Sequence, residues 1–297
     1  MKTLQFAYTP DPDDAFHHFA LEHGRVALPG FSPTFHRAAV HTLNQRTARG
    51  EAEVTAISAA AYPGLAERYA ILASGASVGR GYGPLLAAPR GHVPHSLAGK
   101  RVAVPGLTTT GSFLAHFFHP GFEAVPLPFD TIAEALARRR VDAGVLIHEE
   151  LLHWQVAGVE KMECLGERWQ RTTGLPLPVG LIVGRRDLGL ETLETAQLAL
   201  RESMEYALGH RSEALDFARR FGRGDASRFR EDFIRKFANA DTVRLPDDVR
   251  EGLDTLYRRA HAAGFLATLP PLDIVEHPAS LAASIAASTP TLRSAAS

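Results

Sequence analysis

Short apolar runs alternate with helical segments through the first half of the chain. Each run predicts a buried β-strand, and the first three are followed by a turn rich in Pro, Gly, Ser or Thr and then by residues of helical spacing. The runs are residues 4–8, 54–57, 101–104 and 141–147. Because strands that alternate with helices are typical of βαβ units, the pattern predicts an α/β fold with a mostly parallel sheet.

The second half of the chain has helical spacing almost throughout. One last strand is predicted at Leu181–Val183, and after Asp187 apolar residues recur every three or four positions, as in an amphipathic helix. The residues from about Ser284 onward are predicted to form a frayed tail. The predicted helices are residues 191–208, 211–221, 226–238 and 247–263.

Two stretches rich in Pro and Gly, Gly79–Pro84 and Gly174–Gly180, bracket the middle α/β segment. They predict crossings to and from a second lobe. We expect residues 1–85 and 184–297 to form one lobe and residues 86–183 to form the other, with a ligand cleft between them. Since open α/β sheets bind ligands beyond the carboxyl ends of their strands, the segments that follow strands are the candidates for a site.

Composition excludes several classes of function. Lys and Arg total 32 against 33 Asp and Glu, a formal net charge of -1, so the chain has no overall attraction for nucleic acid or an anionic membrane. The single cysteine, Cys164, excludes an internal disulfide framework and a cysteine-based zinc site. No apolar run approaches the ~18 residues of a membrane span. Acids near the start interrupt any signal-peptide core, and we expect a cytoplasmic monomer or homodimer.

The first strand leads into an acidic loop at Thr9–Asp14. Asp13 or Asp14 can cap the helix that follows by accepting backbone N–H bonds. Three acids among the four residues from Asp11 exceed what capping needs, so the alternative is that Thr9, Asp11 and Asp14 face a ligand. Such a loop would repel an anion. Both interpretations remain open on the sequence alone.

Two further helix starts carry hydroxyl groups. Ser58 stands where a strand ends, and Thr108, Thr109 and Thr110 follow another strand. Free backbone N–H groups at a helix start can hold a carboxylate. The alternative is that each hydroxyl only caps its helix. The threonine segment lacks the lysine and glycine spacing of a phosphate-binding loop, so phosphate is not specifically indicated.

His148 follows directly after a predicted buried strand. An imidazole at the carboxyl edge of a sheet can exchange a proton near neutral pH and can act as a general base. Glu149 or Glu150 could orient it or cap the next helix. The alternative is that His148 is simply the polar end of a strand.

Several segments together resemble a known family. In their order along the chain they are similar to the menaquinone-biosynthesis enzymes of the futalosine route, and most of all to 1,4-dihydroxy-6-naphthoate synthase. The resemblance extends from about residue 4 to about residue 265. The segments that carry it are Thr9–Phe16, Leu43–Asn44, Ile57–Tyr62, Ser74–Leu85, Val102–Thr110, Ile147–Glu149 and Trp169–Pro178.

The resemblance implies a cytoplasmic, two-lobed fold like that of the type II periplasmic binding proteins. It implies a carbon–carbon lyase that converts cyclic dehypoxanthinyl futalosine to 1,4-dihydroxy-6-naphthoate and dihydroxyacetone. The substrate is then a small carboxylate, and no metal or redox cofactor is expected. Carried over by position, His148 would be the proton acceptor. The substrate would be bound by Ala56, Ile57, Ser58, Thr109 and Thr110.

The chain departs from the family pattern at two places. The first loop of the family commonly reads Ser-Pro-Cys-Pro-Asn-Asp, whereas Thr9, Asp11 and Asp13 stand here at the first, third and fifth positions. The family often has a lysine where Ala56 stands. Both changes make the site less favourable to an anion. The alternatives are a chorismate dehydratase of the same pathway and a non-catalytic protein that binds a small carboxylate.

Overall fold

A computed structural model describes residues 1–148, 150–154, 158–221 and 227–278. The predicted tail from Ser284 and the predicted helix start at Ala226 lie outside these residues. Within the described part, no helix combines the length and the apolar character needed to cross a bilayer.

The described residues form strands in both halves of the chain. The strands are β1 (Lys2–Tyr8), β2 (Phe31–Arg37), β3 (Val54–Ser58), β4 (Tyr69–Leu72), β5 (Ser77–Gly79), β6 (Leu85–Pro89), β7 (Arg101–Val104), β8 (Glu123–Pro126), β9 (Ala143–Leu146), β10 (Val159–Cys164), β11 (Leu177–Arg185) and β12 (Ile274–Val275).

Helices connect these strands and dominate the last third of the described chain. They are α1 (Pro12–Glu22), α2 (Val40–Ala48), α3 (Thr110–Phe118), α4 (Ile132–Ala137), α5 (Glu150–His153), α6 (Leu165–Thr173), α7 (Leu190–Gly209), α8 (Arg211–Ala218), α9 (Ser227–Phe237), α10 (Ala240–Val243) and α11 (Asp247–Ala262). Short 3-10 helices lie at Ala59–Gly64, Phe129–Thr131 and Arg186–Leu188.

The strands form two sheets. The seven-stranded sheet has the order β12-β4-β11-β3-β1-β2, with β5 paired to β11 outside this path. The five-stranded sheet has the order β10-β6-β9-β7-β8. We call the larger sheet with α1, α2 and α7–α11 the first lobe, and the smaller sheet with α3–α6 the second lobe. The predicted two-lobed α/β fold is therefore confirmed.

Strand direction differs from the prediction. Strands β2, β1 and β3 are parallel, but β11 runs antiparallel to β3 and β4, and β6 runs antiparallel to β9 and β10. The sheets are thus mixed, and the prediction of a mostly parallel sheet is wrong. A run of apolar residues indicates that a strand is buried, but it does not indicate whether the strand is parallel or antiparallel to its neighbours. That direction is set by the path of the chain between the lobes.

The chain crosses between the two sheets at the stretches rich in Gly and Pro. Residues 79–84 connect β5 of one sheet with β6 of the other, and β11 returns the chain to the larger sheet. The lobe boundaries predicted at residues 85 and 183 stay a prediction. Strand β11 already pairs in the larger sheet at Leu177.

One apolar cluster joins the lobes. It includes Ile57 and Tyr62 from the first lobe and Val104 and Val145 from the second, all of them buried. Trp169 of α6 belongs to the same cluster and is fully buried, with its indole N–H donating to the carbonyl oxygen of Pro176 at 3.1 Å. The lobes are therefore packed against each other along a shared core rather than held by a linker alone.

Helix α6 lies against the crossing segment at backbone contact. A Cβ placed on Gly166 would stand 2.1 Å from the carbonyl oxygen of Tyr82 and 2.6 Å from the backbone nitrogen of Gly83. Neither backbone atom can move aside without displacing the crossing segment. This glycine therefore sets how closely α6 approaches the junction of the two lobes.

We expect Gly166→Ala to lower the free energy of unfolding by about 1–3 kcal/mol or more, because the added methyl group overpacks this contact. Where a helix position has free space, replacing glycine by alanine would instead raise the free energy of unfolding by about 1 kcal/mol. Chemical denaturation measures the change. Gly64→Ala is the matched control, since a Cβ there meets no atom within 4 Å. Equal effects of the two substitutions would contradict this packing argument.

Candidate active site

His148 and Asp11 meet across the cleft. His148 follows β9 in the second lobe, and Asp11 precedes α1 in the first lobe. The His148 Nδ1 atom lies 2.9 Å from Asp11 Oδ2, and the carboxylate is almost fully buried. A carboxylate on Nδ1 fixes the tautomer in which Nε2 carries the lone pair. The imidazole is therefore oriented as a base, by a residue from the opposite lobe.

The backbone at His148 adopts an uncommon conformation. Its φ is 54°, in the left-handed region that most non-glycine residues avoid. Such conformations cost of order 1 kcal/mol and persist where the surrounding structure enforces them, often at functional sites. The His148 ring also lies against Phe129, with the ring centroids 4.6 Å apart. The ring is thus held from two sides.

Asp14 and Thr9 form a closed unit at the start of α1. The Thr9 backbone N–H and hydroxyl both donate to Asp14 Oδ2, at 2.9 and 2.7 Å. Desolvation raises the pKa of Asp14, while these two hydrogen bonds oppose the rise by stabilising the carboxylate. Thr9 and Asp14 line the cavity, but their polar groups are directed largely at each other.

Asp13, between them, is in a different environment. Its side chain lines the cavity and the residue is 7% exposed. Ser77 Oγ donates a long hydrogen bond of 3.5 Å to Asp13 Oδ2. Burial, with the charges of Asp14 and Asp11, raises the pKa of the Asp13 carboxyl well above its usual value, and His148 opposes this only in part.

Ser58 is held by Asn44. The Ser58 backbone N–H donates to Asn44 Oδ1 at 3.0 Å, and Asn44 Nδ2 donates to Ser58 Oγ at 3.2 Å. The same Nδ2 group lies 3.2 Å from Thr108 Oγ1 of the second lobe. The Ser58 amide is therefore not the free anion-binding group that the strand end suggests. Ser58, Ala56 and Ile57 do line the cavity.

The threonine hydroxyls at the start of α3 are also engaged. Thr109 caps the helix, accepting from the Ser112 N–H at 3.3 Å. Thr110 bridges the lobes, since its hydroxyl donates to the Val179 carbonyl at 2.7 Å and accepts from the Ala60 N–H at 3.2 Å. What this helix start offers a ligand is its backbone, because the first N–H groups of a helix have no intrahelical acceptor.

These residues surround one cavity between the lobes. Its empty volume, counted out to the open mouth and including solvent there, is about 700 Å³. Apart from the polar groups above, the walls are mainly apolar. They include Val40, Pro84, Ile147, Leu151, Leu181, Phe233 and Phe237. None of the described lining residues is Lys or Arg.

The acidic loop is anchored from behind by a partly buried polar network. The Tyr8 hydroxyl donates to Glu22 Oε2 at 2.5 Å and accepts from Arg37 Nε at 2.7 Å, while Arg37 also pairs with Glu22. Burial and the Glu22 carboxylate raise the pKa of Tyr8. Strand β1, β2 and α1 are tied together at this point. The network fixes where the chain leaves β1 for the acidic loop.

Two buried histidines complete this support. His18 Nδ1 donates to the Asp14 carbonyl at 2.9 Å, and its ring stacks on Tyr8 at a centroid distance of 4.1 Å. His17 Nε2 donates to the Leu200 carbonyl at 3.2 Å. Burial lowers the pKa of His18 to about 4, and burial together with neighbouring His18 lowers that of His17 to about 3. Both rings are therefore neutral at physiological pH.

The structure brings together nearly all the residues that the sequence singles out. Asp11 is the exception: it does not line the cavity but stands behind His148. Glu149 lies outside the described residues, so its predicted orienting role is not seen. Asn44 and Asp13 were not predicted as site residues. The excess of acids in the first loop was the available signal for Asp13.

In the part of the chain that the structure describes, no group of three or more His, Cys, Asp or Glu side chains could hold a metal ion.

Comparison with known proteins gives consistent results. A family model described as menaquinone biosynthesis matches residues 4–262. A 1,4-dihydroxy-6-naphthoate synthase of Thermus thermophilus is 36% identical over 271 residues, which cover 91% of this chain and 98% of the relative. The enzyme of the same name from Streptomyces coelicolor is 34% identical over 276 residues, covering 91% and 96%.

Solved structures show the same fold. A protein from Archaeoglobus fulgidus superposes with a TM-score of 0.84 at 39% identity, covering 89% of this chain and 98% of that one. The alkanesulfonate-binding protein SsuA from Xanthomonas axonopodis superposes with a TM-score of 0.67 at 12% identity, covering 92% and 98%. The latter similarity concerns the fold alone and agrees with a periplasmic-binding-protein-like architecture.

The buried His18 makes stability depend on pH. Below its ordinary pKa of 6.5 the unfolded chain protonates this ring, whereas the folded chain does so only near pH 4. The neutral ring thus supports folding above pH 6.5, and that support is lost as the pH falls. The quantity to measure is the difference in unfolding free energy between wild type and His18→Phe. We expect this difference to fall by up to about 3 kcal/mol as the pH is lowered from 7 to 4.

Chemical denaturation at several pH values measures this difference, in which the carboxylates common to both proteins cancel. His210→Phe is the matched control, because exposed His210 also stacks on a tyrosine and bonds a carbonyl four residues earlier. A pH-independent difference for His18→Phe would contradict the assignment of a neutral buried ring.

Proposed function

The chain belongs to the menaquinone-biosynthesis family and is an enzyme of that pathway, and on this basis we propose that it is a 1,4-dihydroxy-6-naphthoate synthase. In this proposal it is a carbon–carbon lyase that converts cyclic dehypoxanthinyl futalosine to 1,4-dihydroxy-6-naphthoate and dihydroxyacetone. The substrate is a small molecule with one carboxylate group. Incubation of the purified protein with this compound and mass analysis of the products is the direct test.

The observation that carries the proposal is the pairing of His148 with Asp11 at the cavity. Breaking a carbon–carbon bond next to a carbonyl group requires a base to accept a proton, and an oriented neutral imidazole is suited to this at physiological pH. Asp11 stabilises the imidazolium that forms when Nε2 accepts the proton. His148 is therefore the proposed general base.

The cavity also suits an aromatic carboxylate. The first backbone N–H groups of α3, at Thr110 and Gly111, lie at its wall and can bind the carboxylate with the help of the helix dipole. The apolar walls, including Phe233 and Phe237, suit the ring system. Because no cation lines the described cavity, binding of the anion depends on these amides.

The reaction follows from this arrangement. His148 accepts the proton of a hydroxyl group on the leaving fragment, the bond to the ring carbon breaks, and the ring carbonyl becomes an enolate. Aromatisation of the ring then drives the reaction forward. The lobes enclose the substrate, exclude water and align the fragment that leaves. The proposed reaction depends neither on the oligomeric state of the protein nor on its location in the cell.

A second candidate function is binding without catalysis. Its support is the fold shared with the sulfonate-binding protein. Because one fold serves many functions, the chemistry at the cavity has to decide. Calorimetry with aromatic carboxylates, followed by mass analysis of the recovered ligand, separates the two. A ligand recovered unchanged in every case would favour a binding protein.

We expect His148→Ala to lower kcat by about 10²–10⁴-fold, since the proton acceptor is lost. Substrate affinity, measured by calorimetry, should stay nearly unchanged because the α3 amides and apolar walls are intact. His92→Ala is the control, since His92 is exposed and does not line the cavity. Near-normal turnover by the His148 variant would show that this side chain is not the base.

We expect Asp11→Asn to lower kcat by about 10²–10⁴-fold with little change in KM. The amide keeps the shape of the carboxylate, but it cannot stabilise the imidazolium and it favours the wrong tautomer. Steady-state kinetics over a range of pH values measures the effect. If this variant turned over substrate like wild type, the contact between the lobes would be structural and His148 would need no orienting anion.

A further inference from the structure

The Asp13 carboxyl group is placed to touch a bound substrate. Asp13 lies in the first turn of α1 and lines the same cavity as His148. One of its oxygens receives the long hydrogen bond from Ser77. The other, Oδ1, is buried and has no hydrogen-bond partner among the residues that the structure describes. A buried polar atom without a partner is costly, so a ligand that satisfies it would bind favourably.

The groups around Asp13 decide its charge. Asp11 and Asp14 face it from the loop and from α1, and His148 faces it from the second lobe. From β5 it meets only the neutral Ser77 hydroxyl. Asp14 accepts two hydrogen bonds from Thr9, which oppose the rise of its pKa on burial, and Asp11 is paired with His148.

For Asp13 the charge of His148 and a backbone hydrogen bond at Asp14 are outweighed, so burial and its acidic neighbours raise its pKa well above the usual value. The larger rise of the pKa of Asp13 than of that of Asp14 favours Asp13 as the group that holds a proton in this loop. A neutral carboxyl group has an O–H and can donate a hydrogen bond, as a carboxylate cannot.

We propose that Asp13 is a second catalytic residue, whose O–H donates a hydrogen bond to the substrate carbonyl oxygen while His148 accepts a proton. This inference rests on the proposed lyase function. The substrate class it implies is a ketone whose oxygen becomes negatively charged as a neighbouring carbon–carbon bond breaks.

The step balances without another reagent. His148 Nε2 takes the proton of a hydroxyl group on the leaving fragment, and the O–H electron pair forms the carbonyl bond of that fragment. The pair of the broken carbon–carbon bond becomes the carbon–carbon double bond of the enolate. The π pair of the ring carbonyl moves onto its oxygen, where the Asp13 hydrogen bond stabilises the new charge.

The α3 amides and Asp13 have different roles in this proposal. The α3 amides bind the carboxylate, which carries its charge throughout, whereas Asp13 acts on the oxygen that gains charge during the reaction. Only an interaction that is stronger in the transition state accelerates the chemical step. A neutral donor also avoids the repulsion that three ionised aspartates would exert on an anionic substrate.

Two substitutions test the role of Asp13. We expect Asp13→Ala to lower kcat by about 10²–10³-fold with little change in KM, as for loss of one donor to an oxyanion. Asp13→Asn keeps a neutral donor and should recover activity to within about tenfold of wild type. The kcat of wild type should also fall at alkaline pH as the Asp13 proton is lost, and this limb should be absent from Asp13→Asn, whose amide does not titrate.

Asp216→Asn, an exposed carboxyl-to-amide change on α8, is the matched control. Thermal unfolding checks that each Asp13 variant is folded, since Asp13→Ala also removes the acceptor of the long hydrogen bond from the half-buried Ser77 hydroxyl. The inference is overturned if Asp13→Ala keeps wild-type kcat, or if Asp13→Asn is as damaged as Asp13→Ala. If wild type is active and either of these results is found, only the proposed role of Asp13 is wrong. If wild type and the Asp216→Asn control are both inactive on this substrate, the proposed lyase function itself is wrong.

Discussion

The contact between Asp11 and His148 is the constraint on which the site depends. Its two halves come from different lobes, so the pairing that orients the base requires the lobes to be in contact. Thr110 makes a parallel connection, because its hydroxyl is bonded to backbone groups of the first lobe. The relative position of the lobes therefore determines both the orientation of the imidazole and the placement of the start of α3 against the first lobe.

Three neighbouring aspartates coexist at this site because each is stabilised differently. Asp11 pairs with the imidazole, Asp14 accepts hydrogen bonds from Thr9, and Asp13 is the group proposed to hold a proton. In this scheme the loop carries less negative charge than its three acids suggest. The network of Tyr8, with the buried histidines behind it, keeps the loop in the arrangement where these contacts are made.

Much of the fold could be predicted, because burial leaves a periodic trace in the sequence. Helix α7 differs from its predicted bounds by one residue at each end, as its apolar stripe is long and regular. The direction of the strands could not be predicted in this way, because it does not change the apolar pattern. Edge strand β10 could not be predicted either, because its residues are mostly exposed or half-buried. The segments of the site could be predicted from their places after strands. The partner of His148 could not, since Asp11 reaches it only through the closure of two lobes.

The left-handed backbone at His148 limits which residues evolution can try there. Glycine would relax the main chain but carries no ring, and lysine or glutamate would bring a titrating group at a conformational disadvantage. Histidine, with asparagine and aspartate, is among the side chains that tolerate this region best. The backbone of this one turn thus favours imidazole over the longer basic and acidic side chains.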